Sequence, residues 1–110
     1  MIQGTIENIE EKIRNADSIE GKDKQELLRL LLDLKSEVVS LSKTHPEEAE
    51  SITGFTQVSA HEATREEKNE KLVNLSLKGL TSSIEGFENT HAELVKVVNS
   101  LAVVLANMGL

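Results

Sequence analysis

Leu27–Leu41 reads LLRLLLDLKSEVVSL, and this stretch decides the fold. Leu27, Leu31, Leu34, Val38 and Leu41 recur at alternating steps of four and three, the seam of a helix packed on another helix. A second row of Leu28, Leu32 and Val39 runs beside it, broken only by Lys35. Each helical residue turns by about 100°, so the two rows and Leu30 span roughly 200° of the circumference. A helix at the edge of a globule needs an apolar stripe only about half as wide. This helix, expected over 22–43, therefore touches neighbours on two sides, and the other elements read as its partners.

Upstream, Ile2, Ile6, Ile9 and Ile13 share one face of a short amphipathic helix within 1–16, stable only when docked. Asp17-Ser18 and Gly21 mark the break after it. Downstream, Thr44-His45-Pro46-Glu47 has the form of a capping box, with Pro46 in the first turn of a new helix. From there to Ala63 the large apolar residues are Ile52, Phe55 and Val58, spaced by threes, so their row drifts round the helix. Glu47, Glu48, Glu50, Glu62, Glu66 and Glu67 stand against the single Arg65. The stretch reads as an exposed acidic arm, more mobile or more exposed than the seams on either side and open to a protein partner. Thr64 with Glu67, and Asn69, are candidate starts for a further helix. Residues 45–89 could also form one long helix, since neither Gly nor Pro occurs between Phe55 and Leu77. A break near Thr64–Asn69 is the preferred reading.

Val73, Leu77, Leu80, Ile84 and Phe87 resume the four-and-three spacing, with Gly79 and Gly86 on a flank where another backbone could approach closely. Thr90-His91-Ala92-Glu93 repeats the Thr-His-x-Glu start and opens a last helix over 91–108. Its seam is Leu94, Val98, Leu101, Leu105 and Met108, widened by Val95, Val97, Ala102 and Val104 to roughly 200°. Asn107-Met108-Gly109-Leu110 reads as a glycine C-cap with an apolar residue beyond it. No segment alternates polar and apolar residues as a strand does. The fold class is all-α: one domain of 110 residues, an antiparallel helical bundle of helical hairpins with coiled-coil-like seams.

The net charge of −7 and the mixing of Lys and Arg among carboxylates argue against nucleic acid and against an anionic membrane. Without cysteine there is neither a disulfide framework nor thiolate chemistry. The N-terminus lacks the basic start and apolar run of a signal peptide, and no stretch reaches the ~20 apolar residues of a membrane span. Lys96, Asn99, Ser100 and Asn107 interrupt the last helix. The expected location is the cytoplasm.

Ser59–Asn69 (SAHEATREEKN), Ser83–His91 (SIEGFENTH) and Leu105–Leu110 (LANMGL) resemble the bacterial domain-of-unknown-function family 4404. The resemblance extends over about the last two-thirds of the chain. It implies a small helical cytoplasmic protein with no assigned activity, so there are no catalytic residues to carry over. Relatives often have Pro where this chain has Ala92, which leaves the start of the last helix less sharply marked.

His61-Glu62 begins like the zinc-protease motif His-Glu-x-x-His, but Arg65 stands at the second histidine position. Glu88 and His91 have the Glu-x-x-His spacing of di-iron bundles, yet no second such pair occurs in the chain. His91, Glu88 and His61 are the candidate metal ligands, and the expectation is that no metal or other cofactor is bound. There is no phosphate-cradling glycine loop and no nucleophile elbow, so an enzyme is not expected. The leading reading is a structural or protein-interaction bundle that self-associates as a homodimer or higher oligomer. The interface is expected on the two wide apolar faces, at Leu28, Leu32 and Val39 and at Leu94, Val98, Leu101 and Leu105. The second reading is a bundle that binds a metal or small ligand.

Overall fold

A computed structural model describes residues 2–109. Five helices follow one another: α1 (Ile2–Asn15), α2 (Gly21–Ser42), α3 (Pro46–Thr64), α4 (Glu70–Ser82) and α5 (Ala92–Gly109). Among the described residues there is no strand, so the all-α reading holds. The helices pack into one compact body with a Cα radius of gyration of 12.9 Å.

Successive helices run antiparallel. Lys35 of α2 reaches Glu7 and Glu10 of α1, while Lys24, near the other end of α2, donates to the carbonyls of Arg14 and Ala16. Phe55 of α3 lies against Gly79 of α4, and both Ala63 and Val73 meet Gly109. α1, α3 and α5 therefore point one way and α2 and α4 the other. α3 touches all four other helices, and α1, α2, α5 and α4 form an open arc around it.

This overturns the exposed acidic arm. Ala49, Ile52, Thr53, Thr56, Ser59, Ala60 and Ala63 of α3 are buried, at steps of three, one, three, three, one and three. Ile52 apart, that is a helix seam built from small residues, which lets neighbouring axes come close. The buried hydroxyls of Thr53 and Thr56 are satisfied within the helix, donating to the carbonyls of Ala49 (2.8 Å) and Ile52 (2.7 Å). Counting large apolar side chains misses such a seam. In fact Phe55 and Val58, two of the three large ones, are 40% and 47% exposed.

Apart from Leu32, the wide faces of α2 and α5 are largely covered within one chain because α3 is a hub. α2 packs on α1, α3 and α5, and α5 packs on α2, α3 and α4. Lys35, the break in the second leucine row, pairs with the largely buried Glu10 at 3.3 Å and with Glu7 at 3.6 Å. By length and composition α5 is apolar enough to cross a bilayer, with a mean hydropathy of 1.3, and its seam is packed against the other helices.

The helix starts differ from the capping boxes read in the sequence. His45, not Thr44, is the N-cap of α3 and makes no side-chain cap bond; the Thr44 hydroxyl instead meets His45 Nδ1 at 2.8 Å. Thr64 donates to the Ala60 carbonyl at 2.6 Å within α3, so it caps nothing. Asn69 caps α4, its Oδ1 accepting from the Leu72 amide at 3.1 Å. α3 and α4 are thus separate helices, joined through residues 65–69. α4 ends at Ser82, so Ile84 and Phe87 lie in the following turn, where Gly86 has φ of +95°. Gly109 belongs to α5, and the expected glycine cap fails there: a Cβ would lie 2.9 Å from Val73 Cγ1 and 3.3 Å from Ala63 Cα, so packing, not capping, demands glycine. Leu110 lies outside the described residues.

Candidate functional site

Four of the six exposed large apolar side chains lie on α3 and α4, where the arc around α3 is open; the other two, Leu32 of α2 and Val103 of α5, stand apart from them. On α4, Leu72 (38% exposed) and Leu75 (55%) stand one turn apart on the surface. One further turn on, at Gly79, the missing side chain is replaced by the Phe55 ring of α3. Leu72, Leu75 and Phe55 therefore form a continuous strip along the α3–α4 junction. Val58, one turn beyond Phe55 on α3, extends it towards α1. Gly79 does admit a close approach, as its position suggested, but by an aromatic ring and not by a backbone.

Charged side chains of both signs border the strip. Beside Phe55 and Gly79, the groove is bordered by Glu47 and Glu48 in the first turn of α3, with Ser82 and Ser83 opposite. Around Leu75 a separate groove is bordered by Glu70, Lys71 and Lys78. None of these five charged residues forms an ion pair among the described residues. Carboxylates at a helix N-terminus are favoured by its dipole, which accounts for Glu47 and Glu48 locally but not for the lysines opposite.

A second feature lies at the end where α3 and α5 both begin. His45, Phe87 and His91 form a ring triangle with centroids 5.2 to 5.8 Å apart, all three pairs edge-to-face. Each histidine Nδ1 meets the hydroxyl of the preceding threonine, Thr44 at 2.8 Å and Thr90 at 2.9 Å. The repeated Thr-His pairs converge because α3 and α5 are parallel. The cluster ties two loops together through aromatic edge-to-face packing.

The candidate metal ligands do not converge. The Glu88 carboxylate accepts from the Gly86 amide at 2.9 and 3.1 Å and so closes the turn. His91 belongs to the ring triangle. His61 sits about 24 Å further along α3 than His45, at 1.5 Å per residue. Its neighbour Glu62 pairs with Arg65 at 3.0 Å, so the arginine that displaces the second zinc ligand has a structural use. Among the described residues, no group of three His, Cys, Asp or Glu is placed to hold a metal ion.

The expected interface residues need correction. Leu94, Val98, Leu101 and Leu105 are at most 1% exposed inside the chain's own core, so they cannot meet a partner. Leu28 and Val39 are half-buried, Leu28 against the same core, and only Leu32 of the seven is largely exposed, at 56%. The sequence does not single out the strip on α3 and α4, because the drifting row of Phe55 and Val58 reads as part of an exposed acidic arm and Leu72 and Leu75 lie off the seam of α4.

A cleft of about 240 Å³ separates α1 from α3, walled by Ile9, Ile13, Val58 and Ala60 and rimmed by Lys12 and His61. In comparisons with family models, curated proteins and solved structures, no significant match to this chain was found.

Proposed function

We propose that the chain is a non-enzymatic, cytoplasmic helical bundle that acts through protein–protein contact and associates with itself. One observation carries the reading. The hub helix buries alanines and hydroxyls while turning Phe55 and Val58 outwards, beside the equally exposed Leu72 and Leu75 of α4. Scattered apolar residues on a surface need no explanation, but a contiguous strip rimmed by charge is the form of an interaction site. The resemblance of Ser59–Asn69 and Ser83–His91 to domain-of-unknown-function family 4404 agrees with a small helical protein and adds no catalytic assignment. Light scattering of the purified chain over increasing concentration tests the proposal; mass that stays at one chain throughout refutes self-association.

The α1–α3 cleft supports a second reading, the binding of a small apolar ligand. Its volume, about 240 Å³, is below the range of drug-sized pockets, so the ligand would be compact. Lys12 at the rim suits an acid group. Titration with a short-chain carboxylic acid, followed through the Ile9 and Ile13 methyl resonances, decides this; unmoved resonances remove the reading.

A further inference from the structure

We infer that the α1–α3 cleft takes a compact alkyl monocarboxylate, its carboxylate seated between Lys12 and His61 and its hydrocarbon body lying on Ile9, Ile13 and Ala60. The inference rests on the ligand reading of this cleft given above and adds the ligand's charge, orientation and size.

Charge sets the cleft apart. Its polar lining is Asn8, Lys12, Gln57 and His61, and no carboxylate stands among the described residues that line it. The chain as a whole has 19 Asp and Glu against 12 Lys and Arg. Two neighbouring grooves that share Gln57 with the cleft each include a carboxylate, Glu11 in one and Glu50 in the other. Lys12 forms no ion pair among the described residues. Its neighbours one turn away along α1 are Asn8, Ile9, Asn15 and Ala16, all uncharged, and Glu11 projects about 100° away round the helix. Glu7 and Glu10 face α2, where Lys35 holds them. The carboxylate beside His61 is Glu62, at 3.9 Å, and Arg65 holds it at 3.0 Å.

The geometry gives the ligand a direction. Asn8 and Gln57 both line this cleft and the next groove, so they stand level across the junction. Lys12 and His61 each follow them by four residues on parallel helices, about 6 Å further along, and so share one end of the cleft. A carboxylate there meets an ammonium group from α1 and an imidazole from α3, while the other end offers only uncharged amides. The buried Ile9, Ile13 and Ala60 form the floor and the exposed Val58 a side wall. An amine would meet repulsion at Lys12, and an alcohol would leave it unpaired. An apolar cavity of about 150 Å³ holds benzene, with its six heavy atoms. In proportion this cleft, about 240 Å³, takes about ten, the size of octanoate.

Titration of the full chain with octanoate, octanol and octylamine, followed through the Ile9 and Ile13 methyl resonances, is the test. Octanoate should bind about fivefold more tightly than octanol, the scale of one solvent-exposed ion pair, and octylamine more weakly than either. From butanoate to octanoate, Kd should fall by about twofold to fourfold per methylene, then level off in longer acids. Lys12→Met keeps the fold, because Lys12 is exposed, and circular dichroism verifies this. It should raise the octanoate Kd by about fivefold and leave that of octanol within about twofold. Octanol binding as tightly as octanoate overturns the carboxylate and leaves the ligand reading standing. A preference for octanoate that survives Lys12→Met overturns the seat, and affinity that keeps rising past octanoate overturns the size. Resonances that no probe moves overturn both the inference and the reading beneath it.

Discussion

The Phe55 ring fills the space that a side chain at position 79 would occupy: a Cβ there would overlap ring atoms Cδ1 and Cε1 and lie 3.0 Å from Cζ. Gly79 thus carries a helix-propensity cost of up to about 1 kcal/mol against alanine in exchange for seating the ring. The ring in turn makes α3 and α4 one continuous surface at the strip.

Replacing Gly79 by Ala should consequently have opposite effects in two backgrounds. In Phe55→Ala protein the substitution should stabilise by about 0.5–1 kcal/mol, since only helix propensity changes. In the wild type the gain should vanish or reverse as the ring is displaced. Urea denaturation of the four proteins in the cycle measures the difference, and equal effects in both backgrounds would show that the contact is without energetic weight.

Ser59 is fully buried, and its hydroxyl has no hydrogen-bond partner among the described residues, unlike its helix neighbours Thr53 and Thr56. Ser59→Ala removes that unsatisfied group without opening a large cavity and should stabilise the chain by about 1 kcal/mol. A lower denaturation midpoint for the variant would contradict the assignment.

Lys35 holds Glu10, whose side chain is 11% exposed. Lys35→Met should destabilise by about 2 kcal/mol because an almost enclosed carboxylate loses its cation, whereas Lys35→Met with Glu10→Met should recover most of the loss. Thermal unfolding of the three variants tests it; a double variant no more stable than the single one would place the damage in packing.

His45 and His91 pack on each other and on Phe87, so their truncations to alanine should not add. A coupling of about 0.5–1.5 kcal/mol is expected from a double-mutant cycle. Strict additivity would mean that the two helix starts are held independently.

Val98→Glu and Leu32→Glu should separate sharply. Val98 is fully buried and Leu32 is 56% exposed, so the first should unfold the chain and the second should leave its circular dichroism unchanged. Comparable tolerance of both would contradict the packing of α5.

The class of fold and the seams of α2 and α5 were legible in the sequence, because a helix that buries long aliphatic side chains repeats them at steps of three and four. Asn69 was legible as a cap for a similar local reason: a short polar side chain can reach an amide three residues on. The core position of α3 was not. Apart from Ile52, its seam consists of alanine, serine and threonine, residues equally at home on a surface, and only the neighbours that close around them define it as core. Whether the wide faces of α2 and α5 were free likewise depended on α3, since an apolar stripe states what must be covered and not by what. The ring triangle needed α3 and α5 to be parallel, and the strip of Phe55, Leu72 and Leu75 needed α4 to lie antiparallel beside α3. Local periodicity is written in each helix by its own residues; which faces remain exposed is decided by how the five helices divide one another's surfaces.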